Sequence, residues 1–400
     1  MAGETTFSMM LPSRRLAPRL FVALVVLFGL VSCGSRPELG VLALNEMPAP
    51  GAKSYDILVA TTREKDEHPD TYFNGERAQQ INYADLTISV PPTHQPGQIE
   101  WPTAQPGNPE TTFVTRQAGY IPDRKAFIRD VNQRLAKLPK GKRRIFLFIH
   151  GYNTRFPEGL FRFTQMVHDG NIQSVPVLFT WASRGKLQDY LYDLNSAAIA
   201  RSALEQTIGD LAQTNAEGIT IMAHSMGNWL LMETAVRADP QRLAVISRKL
   251  DNVVLAAPDI DIDLFKSQLK QIGRPRKPYV VIVSRDDKAL SLSQRLSGGI
   301  ERVGAYSDDQ ELAELGAIVI DVTELSSLDS TNHSKFAQLA GLSPEFRKVL
   351  GQADLTSVAA MGGSPDQATD LADLIGDTVA LPIRIITAPV TLAAGSLGPR

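Results

Sequence analysis

The chain has 400 residues, of which 43% are hydrophobic and 21% charged, with a formal net charge of −2. That balance fits one globular α/β domain of about 250–300 residues plus termini. It argues against a nucleic-acid partner, because phosphate binding draws on a basic surplus that is absent here.

In chain order, the N-terminus stands outside the fold. Arg14, Arg15 and Arg19 precede an apolar run over residues 20–31. A basic head before a short apolar run reads as a secretory signal. The run is short for a membrane span, which needs roughly 20 apolar residues. It ends in Leu30-Val31-Ser32-Cys33, and Cys33 is the only cysteine in the chain. That sequence resembles the bacterial lipobox, and the resemblance implies cleavage before Cys33 and lipid attachment to its thiol. Two or three acyl chains anchor stably where one does not. The expectation is a lipoprotein signal peptide over 1–32, a lipidated tether over 33–53 and a lipid-anchored location in the bacterial cell envelope. With one cysteine, no intramolecular disulfide can form.

Residues 55–61 and 86–90 read as the first strands, and 91–109 as a proline-rich loop. From about residue 125 the pattern alternates. Helices are expected over 126–138, 158–167, 198–213, 227–238, 264–271 and 290–296, with another after residue 333. Strands are expected over 144–149, 175–180, 219–223, 252–257, 279–284 and 317–322. Alternating βα units imply a mostly parallel sheet covered by helices on both faces. Ligands then bind at the carboxyl ends of the strands. The domain is expected to span 54–345. Residues 346–400 read as a partly flexible tail with a short docked helix. Pro382 and Pro389 argue against a continuous spanning helix there.

The chemistry concentrates at Ala223-His224-Ser225-Met226-Gly227. An apolar β-branched run, a serine flanked by small residues and a helix make the order of a nucleophile elbow. The turn strains the serine backbone, so the positions two before and two after it must be small. The geometry frees the Ser225 hydroxyl at a helix start whose amides can hold an oxyanion. The topology requires serine, then acid, then histidine. Of the six histidines only His333 lies beyond the elbow, in a polar loop after the expected last strand. His333 is therefore the general-base candidate. Asp287 is the first choice of acid, with Asp286 second and Asp259, one strand earlier, third. A second oxyanion donor beside the Met226 amide is expected from Tyr152, in the turn His150-Gly151-Tyr152-Asn153. Trp181 reads as a strand-end core aromatic or a pocket wall, and Tyr192-Asp193 as residues that order its loop.

With these motifs in place the chain resembles the α/β-hydrolase superfamily. More narrowly it is similar to a bacterial group of α/β-hydrolases of unknown function, often predicted to be lipoproteins. Carrying that likeness are Ala60-Thr61-Thr62-Arg63, the HGYN turn, Phe179 to Gly185, Tyr192-Asp193, the elbow through Asn228, Ala256 to Asp259, Ser284 to Leu290, and His333. The likeness covers roughly residues 54–345. It implies the α/β-hydrolase fold and hydrolytic chemistry, and its spacing favours Asp287. The reading is a serine hydrolase of an ester or similar acyl bond that passes through an acyl-enzyme. No cofactor is expected, and no Cys/His cluster has zinc-ligand spacing. The alternative is a lipid-anchored binding or scaffolding module that uses the fold without turnover.

Overall fold

The computed structural model describes residues 39–273, 275–342 and 383–387. Its centre is a ten-stranded sheet. In chain order the strands are β1 (Lys53–Lys65), β2 (Phe73–Val90), β3 (Val114–Ile121), β4 (Arg144–Ile149), β5 (Val175–Thr180), β6 (Gly218–His224), β7 (Leu250–Ala256), β8 (Tyr279–Val283), β9 (Ala317–Asp321) and β10 (Arg384–Ile386). Across the sheet the order is β10-β9-β8-β7-β6-β4-β5-β1-β2-β3. Neighbours from β1 through β9 pair in parallel, while β1–β2, β2–β3 and β9–β10 are antiparallel. The helices are α1 (Arg124–Lys137), α2 (Phe156–Asp169), α3 (Tyr190–Gln213), α4 (Met226–Arg237), α5 (Pro240–Ser247), α6 (Ile262–Ile272), α7 (Lys288–Leu296), α8 (Asp309–Glu314) and α9 (Lys335–Leu342).

Both sheet faces are buried, which is why the central strands read as continuous apolar runs. The period of two divides their side chains between two cores. On β4, Ile145, Leu147 and Ile149 join Phe127, Leu204, Leu230 and Phe265 from α1, α3, α4 and α6. Phe146 and Phe148 face the other way, with Phe163 of α2 and Phe336 of α9.

The expected fold class holds, and several boundaries shift. The first half of β2 is polar and part-exposed, and most of β3 is part-exposed, so neither gives the apolar run that marks a buried strand. Helix α3 begins at Tyr190, eight residues before the expected start at 198. Two short helices went unread, although both start on an aspartate cap: Asp239 before Pro240, and Asp308. The expected tether does not run free to residue 53. Val41 and Leu42 are buried, and the Leu42 amide donates to the Asp70 carbonyl at 3.1 Å. Within the expected tail, residues 384–386 form an edge strand on β9. Cys33, the signal-like run and residues 346–382 lie outside the described residues. Among the described residues no helix is long and apolar enough to cross a membrane.

Candidate active site

Ser225 follows β6 directly and starts α4 with φ 52° and ψ −126°. This left-handed conformation is costly for a residue with a side chain, and it persists only where the surroundings fix it. Here they do. The Ser225 amide donates to the Ala256 carbonyl at 3.0 Å, and the buried Asn228 amide donates to the Ser225 and Ala256 carbonyls at 3.1 and 2.9 Å. Gly227 must be glycine, since a Cβ there would sit 2.5 Å from the His150 carbonyl oxygen. Gly151 is under the same constraint, with a Cβ falling 2.7 Å from the Ser225 Cβ. The elbow and the HGYN turn are thus in backbone contact at the carboxyl ends of adjacent strands.

His333 lies on the loop between β9 and α9. Its Nδ1 donates to Asp287 Oδ2 at 2.6 Å, across 46 residues of sequence. Asp287 is fully buried, and its other oxygen caps α7 through the Leu290 amide at 2.9 Å. Burial alone would lower the His333 pKa. The hydrogen bond and charge of Asp287, with Asp259 and Asp329, hold it above the ordinary value. A proton fixed on Nδ1 leaves Nε2 as the basic ring atom. Asp329 braces this loop by accepting the amides of Thr331, His333 and Ser334 at 2.8, 3.2 and 2.8 Å. Burial opposes that carboxylate, but a bond from the Thr331 hydroxyl at 2.5 Å, followed by these amides, brings its pKa down to about 2.

The other two aspartates are engaged elsewhere. Asp286 accepts from Lys335 Nζ at 2.7 Å and from Asn332 at 2.8 Å, which ties the histidine loop to the end of β8. Asp259 accepts from Ser293 at 2.6 Å and lies 3.3 Å from the Arg302 guanidinium.

The His224 ring stacks on Phe336 at 4.3 Å and lies 4.6 Å from the His333 ring. Burial, then the neighbouring His333 charge, holds His224 well below its usual pKa. Serine 225 is therefore one residue from a ring in contact with His333. Among the described residues the Ser225 hydroxyl makes no hydrogen bond, so the structure closes the His–Asp contact and leaves the Ser–His contact open. In unliganded sites such contacts are often long and tighten on substrate binding.

Met226 is the first residue of α4, where amides lack helical acceptors. Tyr152 lies in the facing turn, its ring edge-on to Tyr190 at 5.1 Å and its hydroxyl donating to the Leu187 carbonyl. Trp181 is fully buried and stacked on His150 at 4.9 Å, which is a core position and not a pocket wall. On the α2 and α9 side of the elbow lies a cavity of about 250 Å³, walled by Trp101, Phe148, Gly151, Arg162, His224 and Phe336.

One group among the described residues has the donor set for a metal: His94, His168 and Asp169, whose ligating atoms lie within 4.8 Å of one another. Sequence reading missed it because His94 is remote in sequence from the adjacent pair His168 and Asp169. His94 bridges Glu100 and Asp169, at 2.8 Å from each. Burial opposes its charge, but the two carboxylates raise its pKa to about 9. An imidazolium between two carboxylates accounts for the cluster without an ion.

No curated protein sequence matches the chain. Three solved structures are similar to the chain at low identity. Lipase B of Aspergillus fumigatus is 12% identical, over 49% of this chain and 49% of that one, with a TM-score of 0.29. This chain thus spans about half the length of that lipase. An esterase of Rhizomucor miehei is 14% identical over 85% of this chain and 95% of that one, at a TM-score of 0.31. An arylesterase is 10% identical over 81% and 97%, at 0.28. The sequence profile of the family described as alpha/beta hydrolase of unknown function (DUF900) matches residues 123–352, from the start of α1 through the histidine loop. With its parallel sheet, its elbow and that match, the chain belongs to the DUF900 family of α/β-hydrolases.

Proposed function

We propose that the chain is a serine hydrolase that cleaves an ester or similar acyl bond. The observation that carries this reading is the His333–Asp287 hydrogen bond at 2.6 Å, one ring contact away from a serine held at positive φ. In this reading Ser225 attacks the carbonyl carbon and its proton passes to His333 Nε2. Asp287 keeps the other ring proton on Nδ1 and stabilises the imidazolium. The amides of Met226 and Tyr152 bind the tetrahedral oxyanion. His333 returns its proton to the leaving alcohol, which departs as the acyl-enzyme forms. It then deprotonates the water that releases the acyl group from Ser225.

The same reading includes a membrane anchor. Lipid on Cys33 would hold the domain at a membrane of the cell envelope, within reach of acyl-bearing lipids. Metabolic labelling with an alkyne fatty acid, lost in Cys33→Ser, tests the anchor. An unlabelled wild type refutes it.

A fluorophosphonate probe tests the chemistry, since it reacts with an activated serine. The expected result is stoichiometric labelling of the wild type and none of Ser225→Ala at equal folded fraction. Retained ester turnover in Ser225→Ala refutes Ser225 as the nucleophile, whereas a wild type inert to the probe and to a panel of acyl esters favours the scaffolding alternative.

A further inference from the structure

Three motifs have so far been given no chemical role: Ala60-Thr61-Thr62-Arg63 on β1, Trp181-Ala182-Ser183-Arg184 after β5, and Tyr192-Asp193 in α3. They meet in one buried network. Arg63 is fully buried. Its guanidinium donates to the Thr180 hydroxyl at 2.8 Å and to the Ser183, Thr154 and Asn74 carbonyls at 2.8, 2.6 and 3.1 Å. A planar fork of fixed donors suits such a task, where a lysine offers only a point charge.

His150, which opens the HGYN turn, sits at the centre. The Thr180 hydroxyl accepts from Arg63, so it donates to His150 Nε2, at 2.8 Å. The Trp181 amide donates to the same nitrogen at 3.1 Å, and the Trp181 indole donates to the His150 carbonyl at 3.0 Å. Nε2 is therefore an acceptor, and Nδ1 carries the proton that reaches the Gly151 carbonyl at 2.8 Å. Burial, reinforced by the Arg63 charge, keeps this ring neutral, with a pKa of about 3.

Asp193 is also fully buried and fastens the other end of the turn. It accepts from the Asn153 amide at 3.0 Å, the Ser183 hydroxyl at 2.5 Å and the Arg184 amide at 3.3 Å. Ser183 Oγ in turn accepts the Thr154 amide at 3.0 Å. Asn153 itself is at φ 56°, an αL conformation that these bonds hold.

We propose that Arg63 and Asp193 are positioning residues for the oxyanion site, fixing the backbone of residues 150–154 so that the Tyr152 amide faces the reacting carbonyl oxygen. The inference rests on the reading of Ser225 as nucleophile. Neither residue touches the substrate. Both act through the turn, which must be set before charge develops, because preorganised donors need no rearrangement during the reaction.

The test uses Arg63→Gln, Arg63→Lys and the milder Ser183→Ala, which keeps Arg63 and Asp193 but removes the hydroxyl that joins Asp193 to the Thr154 amide. Wild type and variants are compared in four ways: fluorophosphonate labelling, kcat and KM on a p-nitrophenyl ester, affinity for an alkyl boronic acid, and amide exchange at Asn153 and Thr154. The boronate forms a tetrahedral adduct on the serine and reports the oxyanion site directly.

In Arg63→Gln the expected loss is on the order of 10²-fold in kcat, the scale of one missing oxyanion donor. Boronate affinity falls by the same factor, KM stays within about twofold and exchange at Asn153 and Thr154 speeds up. Arg63→Lys stays near Arg63→Gln, because a point charge does not rebuild the fork. Ser183→Ala loses about tenfold in the same two quantities, and it decides the matter if Arg63→Gln does not fold. Folded Ser183→Ala and Arg63→Gln with wild-type kcat and boronate affinity overturn the inference alone. Full rescue by Arg63→Lys overturns it in favour of the bare buried charge. A wild type that neither labels nor binds boronate overturns the nucleophile reading and this inference with it.

Discussion

Asp287 does two jobs with two oxygens, which makes Asp287→Asn a sharp perturbation. Oδ1 accepts the Leu290 amide at the start of α7, and Oδ2 accepts the His333 ring proton. An asparagine has the same shape but only one acceptor oxygen. If that oxygen keeps the helix cap, the amide NH2 faces His333 and forces the proton onto Nε2, the atom that must act as base. If it keeps the imidazole, the cap goes, at about 1 kcal/mol. A wrong imidazole tautomer costs on the order of 10⁴ in kcat in Ser-His-Asp enzymes. A loss of that order, with stability lowered by about 1–3 kcal/mol for a buried group left unpaired, is the expected outcome. The pH profile gives a second reading. With Asp287 present, His333 titrates above its ordinary 6.5, so the acid limb of kcat/KM lies above that pH. Without the carboxylate, burial pulls the limb to lower pH. Stability follows the same linkage. A raised histidine pKa stabilises the fold fully below the unfolded value of about 6.5 and ceases to do so as pH rises through the folded value. The stability gap between wild type and Asp287→Asn is therefore widest below about pH 6.5 and narrows above it. Urea unfolding across pH 5–9 and ester hydrolysis over the same range measure both. An Asp287→Asn enzyme within tenfold of wild-type kcat/KM, or an unmoved acid limb, refutes the assigned role.

Three further outcomes follow from the geometry. Removing His94 leaves Glu100 and Asp169 facing each other across a buried gap, so His94→Ala is expected to lose about 3–5 kcal/mol. Because the His94 pKa is raised to about 9, that difference is complete below about pH 6.5 and fades as pH passes 9, as alkaline urea titrations would record. Gly227→Ala drives a methyl against two backbone carbonyls, at 2.5 and 2.9 Å. It is expected to cost about 1–3 kcal/mol and to displace the HGYN turn, read as a fall in Tm together with lost fluorophosphonate labelling. Asp329→Ala releases the amides that shape the histidine loop and is expected to lower kcat about 10²-fold, the scale of an ångström-level misplacement. The Asp329 contribution to stability is present above about pH 3.8 and is lost as pH falls through about 2, so the variant and wild type converge in acid unfolding curves.

The order of elements was readable because a two-sided parallel sheet writes each strand as an unbroken apolar run. The elbow was readable because its tight turn admits only small residues around Ser225, and His333 because no other histidine follows it. The acid was harder. Asp259, Asp286 and Asp287 all lie between a strand and the next helix; the family likeness favours Asp287 by spacing, and their distant partners, Arg302, Lys335 and His333, set them apart in the structure. The Arg63 network was invisible for the same reason. Its charges lie on separate motifs whose meaning appears only when β1, the end of β5 and α3 pack together. Strand β10 is three residues long and depends on a partner 63 positions away, so no local periodicity announces it.

That last strand has a consequence for synthesis. Its partner β9 is fully buried along its length, and β10 occupies the flank that faces away from β8. Arg384 also bonds Asp321, which holds Arg285 as well. Until residues 384–386 leave the ribosome, a nascent chain shows an open, apolar ladder of amides and carbonyls, the template on which chains pair with one another. A gene product cut short before residue 383 keeps Ser225, Asp287 and His333 and still carries that sticky border. Its fate should be inclusion bodies rather than an inactive soluble protein.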